Sequence, residues 1–220
     1  MMDAATLEEA FFDHVPEQFC QRTLRMIFDA RRRAYDYCKA EFPATEAENV
    51  RPWYTRGKVE AQLRDVADLH RGDGITHRVA KAPKSNWNHT EIMAGPILLT
   101  AGAVQVPCGL VNKADFRLGL AQSNQETLFE DGPHGSKLFV MLLHSSYHTD
   151  DPTERIKYGH LPGSAYLAFP SSDLNSYIHA INLFDRYPSI VESNVPQEWD
   201  QNAVVRFMRY ARKTSWPEAV

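Results

Sequence analysis

Residues 137–145 read KLFVMLLHS, an uninterrupted apolar run that ends at a histidine and a serine. Continuous apolar runs of this length are typical of strands that are buried on both faces. We therefore predict a central strand here. Residues 164–170, SAYLAFP, have the same character, and we predict that they form its antiparallel neighbour.

Upstream of this run, apolar residues recur with a period of two, which is typical of half-buried strands. Residues 75–82 (ITHRVAKA) and 86–95 (NWNHTEIMAG) are predicted strands, joined by a turn at 83–85. The glycine-interrupted residues 96–111 are predicted to add further strands. Residues 115–124 (DFRLGLAQSN) are expected to be another strand.

Helical patterns flank the strands on both sides. Residues 16–42 carry apolar positions at a period of 3.6 between two prolines, which predicts a helix. A connection over residues 44–54 and a helix over 55–69, with Thr55 as its N-cap, are expected to follow. After the strands, we predict a helix over 174–184, capped by Ser171, Ser172 and Asp173, and a last helix over 199–212.

The order of helices, then strands, then helices predicts an α+β fold with a largely antiparallel central sheet over about residues 75–170. Strands and helices are not expected to alternate within that range. We predict a single domain over 1–220, with 1–50 as a helical N-terminal element. Residues 196–220 are predicted to be a C-terminal helix that packs on the domain or on a second copy, and the second arrangement would make a homo-oligomer.

The composition limits the possible binding partners of the protein and the cellular compartment in which we expect it. The net charge of -4 argues against bulk electrostatic binding to nucleic acid or to an anionic membrane. No apolar run reaches the length of a membrane span, and the acidic N-terminus does not resemble a signal peptide. The three cysteines form no CxxC pair, so we expect a reducing, cytoplasmic setting.

Residues 145–163, which connect the two most apolar strands, are the candidate functional segment. Connections of this length without secondary structure are uncommon in compact domains and are often functional. The segment carries two histidines and several acidic residues, and His144 directly precedes it. Asp151 also precedes a proline, and we predict that it caps a short helical turn. The candidate ligand- or partner-binding residues are His144, His148, Asp150, Asp151 and His160.

A metal site is one hypothesis for this segment. His144 and His160 flank the same hairpin and should lie at the same end of the sheet. His144 and His148 would be roughly 13 Å apart along an extended strand, which is too far for easy convergence. Two histidines with a carboxylate, Asp151 or Asp150, are a known first shell for catalytic zinc or non-haem iron.

Two other groups of charged residues have structural explanations that we favour. Arg31, Arg32 and Arg33 are expected to form a solvated helix face whose aliphatic stems cover apolar surface, in preference to a phosphate site. His89 and Glu91 alternate onto one strand face with a tryptophan. A cross-strand salt bridge or a solvated face is favoured there over an acid–base pair.

Three classes of function follow from these patterns. The first is a cytosolic binding or regulatory module that uses residues 145–163 to engage a protein or a small-molecule ligand. The second is a metal-dependent hydrolase or oxygenase with zinc or iron at His144, His160 and Asp151. The third is a nucleic-acid-binding protein that uses its two basic helices. We rank the first class highest, because no motif in the chain demands a reaction.

Overall fold

The computed structural model describes residues 4–82, 87–127, 137–149, 151–199 and 201–211. Its helices and strands are α1 (Ala4–Phe12), α2 (Glu17–Glu41), α3 (Ala44–Leu69), β1 (Ile75–Lys81), β2 (Asn88–Ala94), β3 (Ile97–Ala103), α4 (Asp115–Thr127), β4 (Leu138–Ser146), α5 (Pro152–Tyr158), β5 (Pro162–Pro170), β6 (Tyr177–Asn182), α6 (Leu183–Arg186), α7 (Pro188–Glu192) and α8 (Gln201–Ala211). Within the described ranges, no helix combines the length and the apolar character that a membrane crossing requires.

The described strands form one six-stranded sheet in the order β1-β2-β3-β4-β5-β6. Neighbours pair antiparallel except β3 and β4, which are parallel. The predicted α+β class and the largely antiparallel sheet are therefore confirmed. The sheet runs on to residue 182, beyond the predicted limit of 170.

Strand β4 is buried on both faces, as its apolar run predicts. Its side chains alternate between two apolar clusters on opposite sides of the sheet. Leu138, Val140 and Leu142 pack against helices α1, α2 and α3 and the C-terminal helices. The side chains between them face α4 and the loop that follows β3. Because both faces are covered, β4 anchors the two halves of the core.

The prediction of a strand over 115–124 is wrong, because these residues lie in α4. Their apolar residues alternate and so imitate a strand, but the buried positions have helical spacing. Arg117, Ala121 and Asn124 are the buried residues, at i, i+4 and i+7. Asn124 donates hydrogen bonds to the carbonyls of Phe139 and Pro170, 3.0 Å each, and accepts one from the Phe139 amide. Apolar periodicity does not predict a helix of this kind, because two of its three buried positions are polar.

Helix α4 also corrects the expectation that no helix interrupts the strands. It connects β3 to β4, and this crossover makes the two strands parallel. Helix α5 lies between β4 and β5, where the sequence predicts a short helical turn capped by Asp151. Because β3 and β4 are parallel, their carboxyl ends meet at the same edge of the sheet.

The predicted connection over 44–54 is wrong as well, since α3 begins at Ala44 and continues through Pro52. Thr55 is buried inside this helix and is not its N-cap. An internal proline costs a helix about 3 kcal/mol. Antiparallel packing on α2 offsets that cost: Gln62 bonds to Asp29 over 2.6 Å, and Tyr37 stacks on Tyr54 with ring centroids 4.3 Å apart.

Residues 174–184 do not form the predicted helix but contribute β6. Ser171 and Asp173, read as a helix cap, instead close a tight turn in which the Ser171 amide bonds to the Ser176 carbonyl over 3.0 Å. Leu174 adopts a positive φ of 57° in this turn. The chain therefore reverses and pairs with β5 before the short helices α6 and α7 begin.

The C-terminal helix α8 packs on its own chain. Phe207 is fully buried and contacts Tyr147 and Phe184, with ring centroids 5.2 and 5.9 Å apart. The predicted packing on a second copy stays a prediction. Residues 212–220 and the predicted turn at 83–85 lie outside the described residues.

Gly163 is expected to be irreplaceable where β4 and β5 meet. A Cβ atom added there would lie 2.3 Å from the carbonyl oxygen of Ser146, at the irregularity between these strands. Gly163→Ala should therefore lower the free energy of unfolding by about 1–3 kcal/mol, the usual cost of overpacking. Chemical denaturation measures this change.

Gly57→Ala is the matched control, because nothing lies within 4 Å of its added Cβ atom and Gly57 is inside α3. This variant should gain about 0.5–1 kcal/mol of stability from helix propensity alone. If Gly163→Ala is as stable as the parent chain, the close approach of β4 and β5 is not as described.

Candidate functional site

A cleft opens at the shared edge where β3 and β4 end. It consists of two adjoining cavities of about 470 and 540 Å³, within the range of small-molecule sites. Helix α3 forms one wall, and the loop from β3 to α4 forms the other. Both cavities are lined by Pro52, Ala103, Asn112 and His144. Ligands of open sheets commonly bind outside the carboxyl ends of parallel strands.

Arg31 reaches this cleft from α2. Arg31 is only 7% exposed, and its guanidinium donates a hydrogen bond to the hydroxyl of Ser146 at the end of β4. The Nε atom has no partner among the described residues. Burial, and then the nearby positive charge of Arg51, lower the pKa of Arg31 to about 10. Both effects reflect a buried charge that lacks a counterion.

Arg117 reaches the cleft from the first turn of α4. Its residue is 8% exposed, and it donates to the carbonyls of Asn112 and Ala101 over 3.2 and 3.4 Å. Its Nε atom also lacks a partner among the described residues. Burial, followed by the positive charge of Arg56, lowers the pKa of Arg117 to about 10, although Glu60 opposes this shift.

His144 lies where the two cavities meet. Its residue is 3% exposed, and its Nδ1 atom has no partner among the described residues. Burial and the charge of Arg31 lower the pKa of His144 to about 3. The imidazole is therefore neutral near pH 7, with one nitrogen able to donate a hydrogen bond and the other able to accept one.

The charge of the cleft is positive although the chain as a whole is negative. Among the described residues that line it, five are cationic and two, Glu60 and Asp115, are acidic; the cationic ones are Arg31, Arg51, Arg56, Lys113 and Arg117. Glu60 is already engaged, since it accepts the Thr90 amide over 2.6 Å. The amino end of α4 also lines the cleft and adds positive partial charge.

None of the four arginines contacts a carboxylate within the described part of the chain. The ion pairs found there involve other basic residues. Arg51 and Arg56 instead lie near the rings of Tyr35 and Trp87, 5.6 and 5.2 Å from the ring centroids. Two of these arginines, Arg31 and Arg117, are buried, and buried cations without carboxylate partners are what an anion-binding cleft requires.

Two tryptophans stand at the α3 side of the first cavity. Trp53 and Trp87 are 58% and 50% exposed, and their rings stack with centroids 5.2 Å apart. Both line the cavity together with Arg56. The same cavity is also lined by small or apolar residues: Val59, Ala82, Ala101, Gly102 and Val111.

The outer loop of the cleft is fixed from behind by β6. The Tyr177 hydroxyl accepts the Val111 amide over 3.2 Å and donates to the Gly109 carbonyl over 3.4 Å. Lys113 also bonds to the side chain of Asn175 in the turn before β6. These contacts hold the loop between β3 and α4 in place.

Of the predicted site residues that the structure describes, His144 alone lines this cleft. His160 lies beside Tyr35, with ring centroids 5.4 Å apart, in a separate recess that also contains Asp36. Burial, and then the charge of Arg32, lower the pKa of His160. His148 is exposed, and Asp150 lies outside the described residues.

Asp151 has the structural role that the sequence predicts for it. Its carboxylate caps α5 and accepts the amides of Thr153 and Glu154 over 2.8 and 3.3 Å. The β4–β5 register pairs Ser146 with Pro162, so His144 and His160 lie near the same end of these strands. Their side chains nevertheless line different recesses.

The metal hypothesis gains no support from this arrangement. In the ranges that the structure describes, no group of three or more histidine, cysteine, aspartate or glutamate side chains is placed to hold an ion. A zinc or iron site at His144, His160 and Asp151 therefore stays a prediction from the sequence.

The predicted cross-strand salt bridge on β2 is confirmed. Arg78 and Glu91 are register partners on β1 and β2, and their side chains are 2.6 Å apart. His89 lies 3.1 Å from the same carboxylate and is buried against Phe116. The charged residues of this strand therefore have structural partners.

Sequence reasoning missed the arginines of the cleft. Arg32 and Arg33 are exposed, as predicted, but Arg31 is buried. A signal for this difference was present, because Arg31 continues the spacing of the buried residues Ile27 and Ala34 along α2. Arginine is rarely buried, so an arginine on the apolar stripe of a helix is expected to have a specific partner or role in the interior.

The sequence matches no protein-family model, no curated protein and no solved structure. A function must therefore be inferred from the cleft and its residues.

The buried His144 is expected to make the chain less stable in mild acid. Its pKa is about 3 when folded, against 6.5 for the free side chain, so the unfolded chain binds more protons between these values. Stability should fall as the pH drops below about 6.5, by up to about 1 kcal/mol per pH unit from this group. Urea denaturation of the parent chain and of His144→Gln, at several pH values from 7 to 4, measures the difference.

The variant should have the flatter pH dependence, because it no longer carries the histidine that must stay neutral. His148→Gln, a change of the same kind at an exposed position, is the control and should keep the parent slope. Equal slopes for the parent chain and His144→Gln would show that His144 is not shielded as described.

Proposed function

We propose that this chain is a binding protein for a small anionic ligand, which it holds in the cleft at the ends of β3 and β4. The observation that carries the proposal is the buried guanidinium of Arg31, which has one hydroxyl partner and, among the described residues, no counterion. The proposal keeps the class that the sequence ranks first, a binding module. It moves the site from residues 145–163 to the cleft.

Arg31 is a buried charge that has no counterion among the described residues, and this arrangement is energetically unfavourable. Burying an unpaired charge costs several kcal/mol, even after relaxation and water penetration. Arg31 and Arg51 also repel each other, as the lowered pKa of Arg31 reflects. An anion placed between them would relieve both the lost hydration and the repulsion. A purely structural arginine would be expected to have a carboxylate partner at this depth.

A phosphate group fits this setting better than a single carboxylate. Guanidinium groups bind phosphate oxygens through two parallel hydrogen bonds, and a second arginine matches its second charge. Neutral His144 can donate to a further oxygen, and the Ser146 hydroxyl lies at the same end of the cleft. We therefore propose a phosphorylated small molecule as the ligand.

Three further expectations remain proposals. The three cysteines are buried and free, which agrees with a cytosolic setting. Binding of a protein through residues 145–163 has less support, because Tyr147 and Tyr158 pack under Trp199 near the C-terminal helix. Nucleic acid stays the third choice, since the chain is negative overall.

The test compares Arg31→Met with the parent chain. Without ligand, the variant should be as stable as the parent or more stable, because methionine fills similar space and removes the unpaired charge. Its affinity for inorganic phosphate should fall by at least about tenfold, the effect of losing a charged hydrogen bond. Calorimetry and thermal denaturation with phosphate, against chloride at equal ionic strength, measure both quantities.

Arg25→Met is the matched control, because Arg25 is exposed on the same helix. It should keep the parent affinity for phosphate. If Arg31→Met is strongly destabilised and still binds phosphate like the parent, Arg31 is a structural residue and the proposal is wrong. Absence of phosphate binding by the parent chain at tens of millimolar would also contradict it.

A further inference from the structure

We propose that the phosphate ligand also carries a planar aromatic ring, which stacks on the Trp53–Trp87 pair. This inference rests on the proposed function and specifies its ligand class: a small aromatic phosphate, such as a nucleoside monophosphate. The second cavity, lined by Arg31 and Arg51, holds the phosphate, and the first cavity, lined by the tryptophans, holds the ring.

The tryptophan pair provides the first observation. The two rings are within 14° of parallel, and the Arg56 guanidinium lies over the ring of Trp87. Trp87 therefore contacts both Trp53 and Arg56, although both tryptophans remain at least half exposed. Exposed, ordered aromatic surface beside a cavity is the usual platform for a ligand ring.

The lining of the first cavity provides the second observation. Besides its charged residues, it includes small or apolar ones, among them Val59, Ala101 and Val111. This surface suits the body of an organic molecule better than a free inorganic ion. The two cavities adjoin, since both are lined by Ala103, Asn112 and His144, so one ligand can contact residues of both.

A free small molecule is favoured over a nucleic-acid strand that carries the same groups. Arg32 and Arg33, exposed on α2, do not line the cleft, and its two cavities have the size of a small-molecule site, not that of a groove that follows a strand. A strand needs such a groove along its backbone. The net charge of -4 would also repel a polyanion.

The experiment uses two matched pairs of ligands on the full chain. Phenyl phosphate is compared with cyclohexyl phosphate, and adenosine monophosphate with ribose 5-phosphate; inorganic phosphate is the reference. The members of each pair share the phosphate and differ in the aromatic ring. The aromatic member of at least one pair should bind about fivefold more tightly or better, which is the scale of one stacking contact.

Trp53→Leu tests the location of the ring, because it removes the π surface and keeps apolar bulk at an exposed helix position. It should abolish the advantage of the aromatic ligand and leave the affinity for inorganic phosphate unchanged. Trp53→Phe should restore part of the advantage. Tyr37→Leu is the control, because Tyr37 is an exposed member of another stacked pair, with Tyr54, and does not line the cleft.

The outcomes separate this inference from the proposed function. If inorganic phosphate binds but neither aromatic ligand binds more tightly than its matched partner, the inference of an aromatic ring is wrong and the proposed anion site is retained. If an aromatic advantage survives Trp53→Leu, the tryptophan platform is wrong. If no phosphate compound binds, both proposals fall. A 12-nucleotide single strand that binds more tightly than adenosine monophosphate at physiological salt would overturn the small-molecule class.

Discussion

The parallel pairing of β3 with β4 determines where the candidate cleft lies in this molecule. Antiparallel neighbours place their ends alternately on the two sides of a sheet, whereas these two strands end side by side, at Ala103 and Ser146. Helix α4 must cross between them, and its amino end arrives at the same edge. The loops, the helix end and the side chains of α2 and α3 can therefore meet there. The cleft follows from the connection of two strands more than from any single residue.

Apolar periodicity predicted the parts of the fold in which it is strong. The run in β4, the alternation in β1 and β2, and the stripes of α2 and α8 all correspond to elements of the expected type. It failed where tertiary contacts override local signals. Helix α4 buries an arginine and an asparagine, α3 contains a proline, and the Ser171 turn uses the residues of a helix cap. In each case a polar contact or a neighbouring helix decides the structure.

The candidate site was harder to predict than the fold, for a physical reason. The histidines of residues 142–160 attract attention because their chemistry is versatile, but only His144 faces the cleft. The arginines that define the cleft come from α2, α3 and α4, which are far apart in the sequence. Burial gives Arg31 and Arg117 their significance, and burial depends on the assembled fold. A sequence pattern can place Arg31 on an apolar stripe, but it cannot show that the stripe ends at a cavity.

The bonds from Tyr177 to the loop after β3 have a consequence for the rates of binding. With its outer wall fixed to β6, the cleft exists before a ligand arrives, so little conformational entropy is lost on association. Entry then needs no opening step, and an anion would approach quickly along the local positive field. Differences in affinity among ligands should consequently appear in their residence times, while their association rates stay similar.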